Sequence, residues 1–138
     1  MCIRDRYSPI NQADFIAQYT PIQLYIQPEL VWVAEYENAL IGLAFALPDL
    51  CQAQRGQTID TAILKTLCVH PDWAGIGLAS LLGEKCQAQA RALGYRRVIH
   101  ALMHEKNRSR KMSRFYGKEI RRYALFGKVI EVDSRQCH

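Results

Sequence analysis

The sequence has no run of about 18 or more apolar residues, the length that a membrane-spanning helix needs. Its N-terminus lacks the basic, apolar and small-residue order of a secretory signal, so a cytoplasmic protein without membrane contact is expected. The cysteines, Cys2, Cys51, Cys68, Cys86 and Cys137, are odd in number and scattered, with no CxxC pair and no His/Cys spacing of a zinc site. They read as reduced thiols, and no metal is expected. Cys68 and Cys86 fall in apolar patterns where a small hydrophobe serves. GxxxxGK[ST] and GxGxxG are also missing, which takes the main sequence support from nucleotide hydrolysis and dinucleotide binding.

What is present fits one domain. The 138 residues are 49% hydrophobic and 22% charged, enough to bury a core, and no repeat or linker divides them. The opening "MCIRDR" resembles the translation of a sequencing-adapter oligonucleotide, so residues 1–6 are set aside as an artefact, and the natural chain is expected to begin upstream. Residues 7–132 form the expected domain and 133–138 a frayed tail.

Along the chain, "NQADFIAQY" reads as a short helix capped by Asn11. Strands are expected over Leu30 to Tyr36 and Leu40 to Leu47, joined by Glu37 and Asn38. "PDLCQAQRGQTID" reads as a surface connection. "TAILKTLCV" reads as a central strand buried on both faces. A helix follows from Gly77 to Leu93, with Leu78, Leu81, Leu82, Cys86 and Leu93 near one face and Gly94 as its C-terminal cap. "YRRVIHALMH" is then a strand, a basic stretch turns helical from about Ser109, and "YALFGKVIEV" is a terminal strand or strand pair. The expected fold class is α/β, a central mixed sheet with helices on both faces.

Gly75 and Gly77 weaken a helix by about 1 kcal/mol each relative to alanine, yet they stand where a buried strand hands over to a Leu-rich helix. The first turn of a helix leaves backbone N–H groups unpaired and carries partial positive charge. Glycines there let an anion approach those donors, although the same two residues also suit an ordinary strand-to-helix turn. "VHPDWAGIGLASLL" resembles the acyl-CoA-binding motif of the GCN5-related N-acetyltransferase (GNAT) superfamily, in which Arg or Gln, two residues, Gly, one residue and Gly or Ala open the helix. Here the motif maps as Ala74, Gly75, Ile76, Gly77, Leu78 and Ala79; the departure is Ala74, which brings no polar side chain to the pyrophosphate.

The resemblance runs from about Val31 to Ile130 and implies a GNAT-type acyl-CoA N-acyltransferase fold, N-terminally truncated, with acetyl-CoA as cosubstrate. It implies that Leu67, Cys68 and Val69 lend backbone groups to the pantetheine arm, and that the strand after the helix splays away to open a slot for the thioester. It also implies an Asn and then a helix bearing a Tyr that protonates the departing thiolate. Asn107 and Tyr116 are the candidates, at a spacing longer than the family's common one. "NRSRKMS" and "RRYALFGKVI" resemble a less characterised bacterial branch, and Ser109 and Ser113 are read there as capping or ligand-bonding residues.

A general base must lie within hydrogen-bond reach of the attacking amine. The strand before the motif offers Asp60, Lys65 and His70, and the next strand His100 and His104 with Glu105 beside them, none of them compelling. Lys106 to Arg122 carries most of the +5 net charge. It suits a solvated face or an acidic ligand such as the 3′-phosphate of CoA; nucleic acid is the weaker option, since aromatic interleaving and a recognition motif are missing. The expected function is acetyl transfer by direct attack of a small-molecule or peptide amine, with a homodimer left open. The alternatives are a non-catalytic CoA-binding module and a nucleic-acid-binding domain using residues 106–122.

Overall fold

The computed structural model describes residues 10–107, 109–124 and 126–128. Helix α1 (Gln12–Tyr19) begins where Asn11 accepts the Asp14 N–H on its side-chain oxygen at 2.8 Å, which satisfies one of the donors a helix start leaves unpaired. Short 3-10 turns over Thr20–Tyr25 and Pro28–Leu30 lead into β1 (Val31–Tyr36). Leu30, expected in that strand, ends the second turn instead and is fully buried. Glu37 and Asn38, at φ 48° and 63°, make the two-residue left-handed turn that suits a twisted hairpin, and β2 (Ala39–Pro48) returns.

Where a surface connection was expected, the chain forms helix α2 (Leu50–Gln54), capped by Asp49, whose side chain accepts the Cys51 N–H at 3.1 Å. Its buried Gln52 accepts the Thr61 N–H at 3.1 Å and donates to Asp60 at 2.8 Å, tying α2 to the start of β3 (Thr61–Val69). A 3-10 turn (Pro71–Trp73) and the glycines lead to α3 (Leu78–Ala92), then β4 (Arg97–His100) and α4 (Ser109–Tyr116). The sheet order is β1-β2-β3-β4, antiparallel except for the parallel β3–β4 pair, so the sheet is mixed.

One face of the sheet carries the core. Ala44 and Ala46 of β2 and Ala62 and Leu64 of β3 pack with Leu30 against Leu82, Cys86 and Ala90 of α3. The small residues on β2 allow close approach: a Cβ on Gly42 would stand 2.8 Å from Leu82 Cδ1 and 3.4 Å from Leu78 Cδ2. The buried stripe of α3 follows the i, i+4, i+8 row Leu82, Cys86, Ala90. Leu81, about 100° away on the helical wheel, and Leu93, at the helix end, are 52% and 43% exposed rather than in that face as expected. The opposite face meets α1 through Tyr19, whose ring centroid lies 5.8 Å from that of Phe45 and 4.3 Å from Lys65 Nζ.

Burial of β3 on both faces, expected along its length, holds only near its start. Thr61 and Ala62 are buried, whereas Lys65 and Cys68 are exposed. The register with β2 shifts between Phe45 and Ala46, where Lys65 is the extra residue of a bulge. The bulge keeps Leu67 and Val69 on the α3 face although they are out of step with Ala62 and Leu64, and it leaves Cys68 exposed rather than packed as a small hydrophobe. Cys86 is packed as expected, with burial pushing its thiol pKa up to about 11.

The strand expected over residues 95–104 shrinks to four residues because Leu102, at φ 29°, turns the chain out of extended geometry. The expected terminal strand is not formed by Tyr123, Ala124 or residues 126–128, since none of the four strands pairs with them; its remaining residues, with 1–6 and 133–138, lie outside the described residues. Among the described residues, no helix is long and apolar enough to cross a membrane.

Candidate active site

The β3–β4 ladder is short. It runs from Thr61 opposite Arg97 to Leu64 opposite His100, closes with the Ala101 N–H donating to the Leu64 carbonyl at 3.1 Å, and then opens as the chain turns at Leu102. β3 continues to Val69, paired among the described residues with β2 alone. Leu67, Cys68 and Val69 all lie on this open half, with Leu67 and Val69 anchored on the core and Cys68 on the exposed side.

Past Val69 the backbone is pinned at several points. The His70 N–H donates to the Ile41 carbonyl at 2.8 Å, and the imidazole Nδ1 accepts the Asp72 N–H at 3.4 Å. Trp73 packs on Tyr36 of β1 with ring centroids 4.7 Å apart. Ala74 is extended, Gly75 has φ 89°, Ile76 is 66% exposed, and Gly77 has φ 86° as the residue that caps α3.

A Cβ at Gly75 or Gly77 would meet nothing within 4 Å. The two glycines are therefore required by a left-handed backbone, which costs other residues about 1–2 kcal/mol, and the space beside them is open. No side chain caps the first turn of α3, where Leu78 and Ala79 follow Gly77, so its leading N–H groups have neither an intrahelical nor a capping partner. With Ala74 a methyl group, the anion-attracting character of this turn comes from the backbone alone.

The acid and base candidates divide sharply. Tyr116 ends α4, 38% exposed, with the Phe115 ring edge-on at 5.3 Å. Asn107 caps α4, its side-chain oxygen accepting the Ser109 N–H at 3.1 Å. Asp60 is committed to the fold: hydrogen bonds from Gln52, Arg97 and Thr61 hold its carboxyl far below the usual carboxylate range. Lys65 sits over the Tyr19 ring, His104 Nδ1 accepts the Lys106 N–H at 3.1 Å, and Glu105 is exposed.

His100 differs from these. Its Nδ1 is 2.8 Å from Ser113 Oγ, its Nε2 is 3.4 Å from the Gln87 side-chain nitrogen, and burial holds its pKa below the ordinary value. Sequence spacing did not reveal this contact, nor those of Gln52 and Trp73, because each joins residues from separate elements.

In the basic segment, Arg110 and Arg122 both pair with Glu119, Arg110 at 2.7 Å, while Lys111 and Arg114 are exposed on α4. The candidate site is an open groove rather than a closed cavity. Two surface depressions, about 420 Å³ beside Asp60, Arg96 and Arg97 and about 310 Å³ between Pro28, Trp32 and Gln89, contain no residue of the glycine turn.

The family model described as acetyltransferase (GNAT) domain matches residues 27–119. Several solved structures share the fold. The aminoglycoside 6'-N-acetyltransferase AAC(6')-IG from Acinetobacter haemolyticus is 17% identical with a TM-score of 0.65, over 94% of this chain and 89% of that one. AAC(6')-Iy, in complex with a bisubstrate analog, CoA-S-monomethyl-acetylneamine, is 17% identical with a TM-score of 0.64, over 94% and 88%. The aminoglycoside acetyltransferase meta-AAC0020 from an uncultured soil metagenomic sample, in complex with sisomicin, is 14% identical with a TM-score of 0.63, over 93% and 80%. No curated protein matches the sequence.

Proposed function

The chain belongs to the acetyltransferase (GNAT) domain family, and on that premise we propose that it transfers an acetyl group from acetyl-CoA to an amine by direct attack, with no covalent enzyme intermediate. The observation that carries this reading is the continuous path from the open half of β3, through two left-handed glycines, to the uncapped start of α3. In it, the backbone donors from Gly75 to Ala79 receive the pyrophosphate, and Leu67 and Val69 offer peptide groups to the pantetheine amides, while Cys68 between them is paired with Leu43 of β2. Ala74 contributes no charge, which lowers affinity without changing the mode of binding.

Catalysis in this reading comes from positioning and from a backbone donor, that of Val69, polarising the thioester carbonyl. The amine nitrogen forms a bond to the acetyl carbon, the carbon–sulfur bond breaks, the amine's surplus proton passes to water, and the thiolate takes a proton from Tyr116. A water-borne proton suits a strand whose carboxylate candidate, Asp60, stands at the end of β3 away from the glycine turn and is engaged by Arg97 and Gln52. Asn107 holds the start of α4 and so the placement of Tyr116. The relatives' aminoglycosides make a polycationic amine the first acceptor class to examine.

Calorimetry with acetyl-CoA tests the binding mode. Gly77→Glu places a carboxylate against the pyrophosphate and is expected to weaken binding at least tenfold, about 1.4 kcal/mol, beyond Gly77→Ala, which carries only the backbone strain. Equal affinities for the two variants refute phosphate binding at this turn. Thiol release over a panel of amines that includes sisomicin then separates an enzyme from a module that binds CoA without turnover; tight binding with no release favours the module.

A further inference from the structure

The Gln87–His100–Ser113 contact is used by neither the fold's core nor the cofactor path, and its chemistry is directional. An amide nitrogen only donates, so Gln87 Nε2 fixes His100 Nε2 as an acceptor. The imidazole, kept neutral by burial, therefore carries its proton on Nδ1 and donates it to Ser113 Oγ at 2.8 Å. With its oxygen already accepting, the Ser113 hydroxyl has its own hydrogen left to give to a third group.

Its location points to that group. His100 is the last β4 residue in register with β3, so the pair stands where the two strands part. Ser113 is half-buried, and the neighbouring Met112 packs on α3, its Cε 3.8 Å from where a Cβ on Gly83 would lie. Ser113 and Tyr116, three residues apart on α4, share one helix face.

We propose that Ser113 is a catalytic hydrogen-bond donor to the sulfur of acetyl-CoA, with His100 and Gln87 as the positioning residues that orient it. This rests on the acetyl-CoA reading above. No proton leaves Ser113: it stabilises the negative charge that gathers on sulfur as the carbon–sulfur bond breaks, and Tyr116 supplies the proton.

The test needs no acceptor. Thiolate absorbance gives the pKa of the CoA thiol bound to the protein, and a donor aimed at sulfur lowers it. Ser113→Ala is expected to raise the bound thiol pKa by about one unit, a tenfold change in thiolate at fixed pH. Ser113→Thr, which keeps a hydroxyl, retains the wild-type value. His100→Phe follows Ser113→Ala, and His100→Asn, which restores a donor in place of Nδ1–H, recovers the shift. Coincident titrations of wild type and Ser113→Ala overturn the role of Ser113, and an unshifted His100→Phe overturns that of the histidine. A wild-type protein that binds no CoA at all fails at the earlier step, and the acetyl-CoA reading falls with this one.

Discussion

His100 shows how one side chain's surroundings set its response to pH. Burial favours its neutral form, so its folded pKa lies below the unfolded value near 6.5. As pH falls through that unfolded value, the unfolded chain takes up a proton that the folded chain refuses. The stability His100 contributes is thus fully present above about pH 6.5 and is lost as pH drops toward the folded pKa. Urea unfolding at pH 7.5 and 5.5 is expected to show a larger loss in wild type than in His100→Asn, and identical losses would contradict it. Cys86, with a thiol pKa of about 11 and no exposure, is expected to resist a thiol reagent until the protein unfolds, which labelling with and without urea will show.

Between elements, the decisive contact is α3 on β2. Leu82 fills the space over Gly42, so Leu82→Ala should cost about 2–5 kcal/mol of stability by leaving a cavity at the centre of the core. Gly42→Ala should cost less, about 1–3 kcal/mol, because the Leu82 tip must give way. A Gly42→Ala denaturant midpoint equal to that of wild type would mean that the helix does not sit as close as this. The elements themselves were largely readable from sequence, since Leu82 and Cys86 on the buried face of α3, the Glu37–Asn38 turn and the Asn11 cap belong to local patterns, although Ala90 takes the place in that face expected for Leu81 and Leu93. The features that shape the site were not. The Lys65 bulge, the Leu102 turn and helix α2 depend on what packs beside them, and neither β-propensity nor periodicity encodes a one-residue slip.

Across the whole molecule, the positive charge is concentrated in residues 106–122 rather than spread evenly along the sequence, with Lys111 and Arg114 exposed on α4. If these serve an acidic ligand, acetyl-CoA affinity should fall with added salt, and neutralising both as Lys111→Gln and Arg114→Gln should flatten that dependence. Single-stranded RNA that displaces acetyl-CoA would instead favour the nucleic-acid alternative. The glycine turn was legible in sequence as a motif, whereas the Ser113–His100 pair was not, because it exists only once β4 and α4 meet. The half-open β3 has one more consequence. Peptide groups without a ladder partner are sticky toward other chains, and the bulge with its exposed Lys65 is the kind of guard that keeps such an edge from recruiting a foreign strand. If the pantetheine arm lies along β3 as proposed, it stands in for the missing strand, and the protein is expected to resist aggregation longer in storage with acetyl-CoA than without it.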